Sequence, residues 1–515
     1  MRKLNKKKSD KKMSHVEQRT VMSSEDLFIT EMGRMRVVTP RTQNEQAPTA
    51  IAVAKSCAFS VVRSAVCFGS VLSFAALVGV AEESPPKFVG SSSCAAAACH
   101  GGLAGNKVVG SEFPLWAARD PHARAYSALH SSLSKQMASR LRLSNKTAHE
   151  SAECLNCHSP ATAIKESTIT GHAPLASVDC EQCHGAAELW LTPHRRKDWK
   201  NLSSAVKQRL GFNDLADVLT RATLCTDCHV GGAGRDVNHD LLAAGHPRLN
   251  FELSTFHANW PKHWPRQKDE SKHPISNAKP NDPPGSLFEA KLWAVGQVVT
   301  AQRSLELLSL RAAHVQTWPE LSEWNCFACH HDLESDSWWQ TRRATPSQAR
   351  LNWNSWPYAL LEPLAKQTYG PDLDGSASPI VGTLRLRFHF ESLFPPPENI
   401  AAEASSAAKS LRIWAEKLNQ ADSVPLLLSP GALKSLRQLL IADEGQQRVA
   451  RDWDSATQVF LAINALRYAE KAAKGKLDST DEAQTQFVLD SMQKSLDFQE
   501  GYRSPRQTEL RKLLK

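Results

Sequence analysis

The apolar positions of this chain fall into stretches of different period. Ile51–Val80 is apolar except for Lys55, Arg63 and a few serines. Pro265–Gly285 is rich in Lys, Asp, Asn and Pro and predicts a surface loop. Ser286-Leu287-Phe288-Glu289 then reads as a capping box, serine at the N-cap and glutamate at N3. Phe288, Leu292, Val295 and Val299 follow at helical spacing, predicting a long helix to about Ala313 with one face on the core. Leu384–Phe390 alternates and predicts a short strand. Pro395-Pro396-Pro397 reads as a linker. Beyond it, Ile400, Ala404, Ala407, Leu411, Trp414 and Leu418 share one helical face. Leu433, Leu436 and Leu440 mark a second helix, Val459, Phe460, Ile463 and Leu466 a third, and Phe487, Val488 and Met492 a fourth. Four amphipathic helices at short spacing predict a small bundle.

The first apolar stretch has the marks of export. Arg63 followed by the 17 residues Ser64–Val80 reads as the charged and apolar parts of a secretory signal. Gly79-Val80-Ala81 is a small-residue cleavage site, and an uncleaved N-terminal anchor is the second choice. The formal charge of +9 is mostly this leader: residues 1–81 hold 13 Lys/Arg against 6 Asp/Glu. The rest of the chain is near neutral, so the charge gives no support for nucleic-acid binding.

Ten of the 12 cysteines carry the chemistry. Cys154/Cys157-His158, Cys180/Cys183-His184, Cys225/Cys228-His229 and Cys326/Cys329-His330 are each C-x-x-C-H. Cys94 and Cys99-His100 form a stretched version with four alanines between the cysteines. C-x-x-C-H attaches c-type haem: two thiols add to the haem vinyl groups and the histidine becomes the proximal iron ligand. A zinc ribbon needs two C-x-x-C pairs but no histidine after each. Disulfides between i and i+3 cysteines are a poorer account of the same spacing. Five haem c groups are therefore expected, with the Cys94/Cys99 site the unusual one. Haem then supplies much of the buried apolar surface, and Trp116, Trp190, Trp199, Trp260, Trp264, Trp293, Trp318, Trp324, Trp338 and Trp339 are expected to pack around it.

The sixth ligand decides the chemistry, since an iron with two protein ligands transfers electrons and an open one binds small molecules. Met137 is the only methionine between Cys94 and His330, so histidine is the expected ligand. The non-motif candidates are His122, His130, His149, His172, His194, His239, His246, His257, His263, His273 and His314. His331 directly follows His330 and cannot reach the same iron.

Over residues 90–335 the chain resembles the multihaem cytochrome c family of the tetrahaem cytochrome of ammonia-oxidising bacteria. More remotely, it resembles octahaem hydroxylamine oxidoreductases and pentahaem nitrite reductases. Trp116-Ala-Ala-Arg-Asp-Pro-His122-Ala123 is similar to a family segment whose histidine is a distal ligand. Val178-Asp-Cys180-Glu-Gln-Cys183-His184-Gly185 with the trailing His194 is similar to another. Asp236–Leu249, containing His239 and His246, resembles a block that follows a haem site in related secreted proteins. The resemblance implies His122, His194 and His246 as distal ligands, with His172 and His239 next. The chain departs from the relatives at the four-alanine spacer. It has no attachment site ending in lysine, and Tyr126 is the only tyrosine between Cys94 and His330. Both absences argue against nitrite-reductase or hydroxylamine-oxidoreductase chemistry.

The expected protein is mainly α. Residues 1–81 are leader or anchor, 82–340 a five-haem domain, 341–398 a connection and 399–515 a helical domain. The expected role is electron transfer between redox-protein partners in the periplasm or another exported location, with a membrane-bound redox complex as one setting. The rival is an enzyme acting on nitric oxide, nitrite or hydroxylamine at one open haem. A non-redox scaffold with structural haems is the third and poorest option.

Overall fold

The computed structural model describes residues 86–102, 109–143, 147–160, 177–264, 286–326, 329–330, 352–371, 373, 378–392, 394–420, 429–442, 445, 447–448, 451–474 and 477–496. The leader and the Pro265–Gly285 loop lie outside them. All the described residues belong to one unit, Ala81–Lys515.

The described chain is helical, without a strand. Short helices come first: α1 (Glu112–Arg119), α2 (Ser132–Arg140), α3 (Ala152–His158), α4 (Cys180–His184), α5 (Ser204–Arg209), α6 (Val218–His229), α7 (His239–Ala244) and α8 (Leu253–Asn259). Longer ones follow: α9 (Ser286–Ala313), α10 (Leu361–Tyr369), α11 (Val381–His389), α12 (Pro397–Asn419), α13 (Pro430–Ile441), α14 (Trp453–Lys474) and α15 (Ser479–Leu496). The change in length follows the change in sequence. The N-terminal helices are interrupted by proline, glycine and N-capping Asp or Ser every few residues, and Asp217, Asn238, Ser131 and Ser203 each cap a helix through the side chain. From residue 397 the apolar repeat runs for several turns without such breaks.

The long helix α9 ends at Ala313, as its pattern predicts, but it does not bury only one face. Every residue from Ala290 to Gln302 is buried. Helices α6 and α8 cover one side, while α12 and α14 cover the other. One apolar core therefore runs from Val218 through α9 to Met492, and the C-terminal helices close it. Where α8 crosses α9 the backbones approach closely, because Gly296 has no side chain. A Cβ there would sit 2.7 Å from the Leu253 Cβ. Gly296→Ala is expected to lower stability by about 1–3 kcal/mol, the usual cost of overpacking. Chemical denaturation of the two proteins checks this, and an unchanged midpoint would contradict it.

Two sequence expectations are corrected. Leu384–Phe390 is not a strand; it lies in and just after helix α11. Thr383, Leu386 and Phe390 are the buried positions, a helical stripe that the alternation of arginine with apolar residues conceals. The three prolines are not a linker alone. Pro396 is the N-cap and Pro397 the first residue of α12, where a missing N–H costs nothing.

Polar anchors tie the haem-motif region to this core. Arg248 makes two 2.8 Å bonds to the fully buried Asp454 of α14 and a third to Asn354. Arg311, in the last turn of α9, bonds Asp236 and the buried Glu323. Burial alone would lower the Arg311 pKa, but these carboxylates outweigh it and raise it. The bond to Glu323 fixes the stretch three residues before Cys326.

Candidate haem-attachment sites

Attachment begins with local geometry. Helix α3 ends in Cys154–His158, α4 consists of Cys180–His184, and α6 ends in Cys225–His229. A helix puts residues i, i+3 and i+4 on one face, so both thiols and the imidazole point to the same side. At the Cys326 site, the His330 N–H donates to the Cys326 carbonyl at 2.8 Å, the bond of one helical turn.

That last site lies partly at the surface. Cys329 is exposed, and His330 beside it is exposed as well. The cause is the path of the chain. Trp324 and Asn325 are buried in the core, Cys326 is half-buried, and the turn then carries Cys329 outward. The Cys329 N–H donates to the Cys326 carbonyl at 3.3 Å, so the motif keeps its turn while its second sulfur lies at the surface. Cys99 is the other exposed thiol, whereas the remaining eight attachment cysteines are partly covered. The covered domain thus holds three complete motifs, and the first and last motifs each present one sulfur to solvent.

The stretched site reproduces the bond of the regular ones. The His100 N–H donates to the Cys94 carbonyl at 3.3 Å, although five residues separate them. The alanines take up the extra length in a turn, with Cys99 N–H and Gly101 N–H both donating to Ala96 O. Gly101 is required for this turn, since a Cβ would lie 1.8 Å from the Ala95 carbonyl oxygen. The segment is clasped to α4 by Glu181. Its buried carboxylate accepts N–H bonds from Val89, Gly90 and Ala187 at 2.7–3.0 Å.

The motifs approach one another in pairs. The Cys94 and Cys180 thiols lie within reach of each other, as do those of Cys157 and Cys228. Among the described residues the cysteines form no disulfide. The two pairs that a zinc ribbon would use, Cys154/Cys157 and Cys180/Cys183, thus turn to different partners.

Among the described residues, four of the five motif histidines lie near a second imidazole. His100 and His194 have ring centroids 6.4 Å apart, His122 and His229 6.0 Å, His184 and His263 6.4 Å, and His239 and His330 6.3 Å. An imidazole nitrogen binds a metal at about 2 Å, and the ring centre lies about 1 Å further, so two rings on opposite sides of one iron are about 6 Å apart. The spacing fits two axial ligands.

In His100, His122, His158 and His194 the Nδ1 atom is engaged in a hydrogen bond. His100 Nδ1 donates to Glu112 Oε2 at 3.0 Å and His122 Nδ1 to Asp120 Oδ1 at 2.9 Å. His158 Nδ1 donates to the Ala125 carbonyl at 2.8 Å, and His194 Nδ1 to the Leu191 carbonyl. Each bond leaves Nε2 for a metal and fixes the ring plane. Asp120 is buried and also accepts from Trp260 Nε1 at 2.7 Å. Burial alone would raise its pKa, but the bonds from His122 and Trp260 outweigh it and hold the carboxyl below the usual range.

Of the distal candidates favoured from sequence, His122, His194 and His239 each face a proximal histidine. His246 directs Nδ1 at the Pro247 carbonyl, 2.8 Å away, and is not among these facing pairs. His172 lies outside the described residues. His263 takes the place opposite His184, flanked by Trp260 and Trp264. It is one of the eleven non-motif candidates, and the Pro-Lys-His-Trp run around it is the available signal. His130 and His149 stack 4.2 Å apart, too close to straddle an iron.

The family described as cytochrome c554 and c-prime matches residues 93–185, a segment with the first three attachment motifs. No curated protein and no solved structure matches the chain. The match over residues 93–185 and the motifs support a haem c-type cytochrome. The residues present fit that cofactor: paired thiols, an adjacent imidazole and a second imidazole at axial spacing.

Proposed function

We propose that the protein is an exported cytochrome with five haem c groups that passes electrons between redox-protein partners. The four imidazole pairs at 6.0–6.4 Å carry this reading, because closed irons exchange electrons rather than bind substrate. Haem would be held through Cys94/Cys99, Cys154/Cys157, Cys180/Cys183, Cys225/Cys228 and Cys326/Cys329, with His100, His158, His184, His229 and His330 proximal. The thiol contacts between motifs favour close haem pairs and a short conducting chain. The exposed sulfurs of Cys99 and Cys329 favour the first and last haems as the edges where electrons enter and leave. The leader favours a periplasmic or similar location, at a membrane if it is kept. Among the described residues no helix is long and apolar enough to cross one.

A second reading concerns His158. Its Nδ1 is bound to Ala125, and it belongs to none of the four facing pairs. With His172 or His246 on that iron the chain of closed haems is complete; without either, one iron is open to nitric oxide, nitrite or hydroxylamine. The test is a carbon monoxide difference spectrum of the reduced holoprotein, normalised to haem counted by intact mass. A signal of at most one haem in five is expected. Signals from several haems would sink the carrier reading, and a mass short of five haems would sink the count.

Asp120 is expected to set one potential. A carboxylate bonded to an axial imidazole makes it a stronger donor to the oxidised iron. Asp120→Asn should therefore raise the potential of the His229 haem by about 60–120 mV, a ten- to hundredfold change for one electron. Spectroelectrochemistry reads this directly, and an unmoved potential with an intact Soret band would refute it.

A further inference from the structure

A small cavity lies between α10, α11 and the residues leading into α14. Its volume is about 50 Å³, and Trp353 and Tyr358 form part of its wall. Three guanidinium groups line it: Arg387, Arg448 and Arg451. Arg448 pairs with Glu362 at 2.9 Å, but Glu362 is shared with Lys366 at 3.3 Å. Among the described residues, Arg451 pairs with Asp452 at 3.7 Å, and Asp452 also accepts a 2.6 Å bond from the Ser355 hydroxyl. Among the described residues, the three guanidinium groups thus meet the two carboxylates Glu362 and Asp452, and Arg387 forms no ion pair. Thr383 also lines the cavity. It is 6% exposed, and its buried hydroxyl has no hydrogen-bond partner. A buried hydroxyl without a partner costs about 1–3 kcal/mol, and converging arginines are the usual recognition device for a planar oxyanion.

We propose that this cavity binds one small oxyanion, held by Arg387, Arg448 and Arg451 and by a hydrogen bond donated from Thr383. Its volume suits a carboxylate or a small inorganic oxyanion, at about the room of one or two waters, and excludes a nucleotide. Burial, together with Arg387 and Arg448, holds the Arg451 pKa below its usual value, as expected of a cation awaiting a counter-charge. The wall adjoins an attachment motif. Trp353 bridges to Trp324, Asn354 N–H donates to the Glu323 carbonyl, and Asn325 N–H donates to Asn352 O, all just ahead of Cys326. The oxyanion therefore has two possible sources, a free solute or a propionate of haem attached at Cys326. The second source rests on the haem reading above; the cavity itself does not.

The experiment uses the holoprotein, wild type, Thr383→Val and Arg387→Gln. Each is titrated calorimetrically with nitrite, acetate and inorganic phosphate at constant ionic strength, with chloride as control. Saturable binding of one equivalent, weakened at least tenfold in both variants and partly restored by Arg387→Lys, establishes a free-solute site. No binding to wild type, with the potential of a single haem lowered in both variants, assigns the site to a propionate. The remaining patterns overturn the proposal: binding equal in all three proteins, or neither binding nor a shifted potential. Unchanged melting and Soret spectra in the variants exclude unfolding as the cause. The mass-based haem count separates a failure here from a failure of the five-haem reading.

Discussion

Replacing His122 with alanine is expected to open one iron. The reduced variant should gain a carbon monoxide signal of one haem equivalent over wild type, with haem content by mass unchanged. His122 sits in the turn Pro121–Arg124, held at both its N–H and its Nδ1 by Asp120. That bracing places its ring 6.0 Å from His229, which belongs to an attachment motif 107 residues further on. Removing the imidazole leaves a gap on that side of the ring, and reduced iron with a vacant axial position binds carbon monoxide. The neighbouring Asp120 keeps its bond to Trp260, so the turn should persist. A variant with full haem and no added signal would remove His122 as an axial ligand.

Trp414→Ala is expected to weaken the whole described unit by about 3–5 kcal/mol, the range for truncating a buried aromatic. Trp414 is 1% exposed and lies on α12, the helix that packs along α9. The same α9 packs on α6, which carries Cys225, Cys228 and His229. Loss on the C-terminal side should therefore be felt at the haem sites. Far-ultraviolet and Soret signals should fall together in one transition at lower temperature. Two separate transitions, with the Soret unmoved, would mean that the C-terminal helices fold as an independent body.

The geometry of the cysteine–histidine motifs was legible because it is local: two thiols and an imidazole within five or seven residues need one turn and nothing else. How deeply each motif is covered was not, since the exposure of Cys329 follows from where the chain leaves the core after Asn325. The presence of α9 and α12–α15 was legible because their apolar repeats run over several turns, whereas the full extent of α14 and α15 was not. The distal side was harder. His263 reaches His184 across a fold that no local pattern describes, while His246 sits in a suggestive block yet is in none of the four facing pairs. The complete burial of the middle of α9 was equally hidden, because Lys291, Gln297, Thr300 and Gln302 look like a solvent face. Lys291 in fact donates to the Asn419 carbonyl at the end of α12. In α11, arginines alternating with apolar residues imitated a strand, and only packing against α12 chose the helix.

The four facing imidazole pairs also bear on the order in which the protein can form. Each joins segments about 80–110 residues apart, and closing a loop of that length costs chain entropy that grows with the logarithm of its size. On the haem reading proposed above, iron between the rings would make each pair a cross-link comparable in reach to a long-range disulfide. The loops interleave, since the one from His122 to His229 encloses both His184 and His194. No one of them can close far in advance of the rest without constraining its neighbours. On the proposed five-haem reading, cofactor loading would add these restraints to the apolar core, and a chain missing a single haem would forfeit one that the others share.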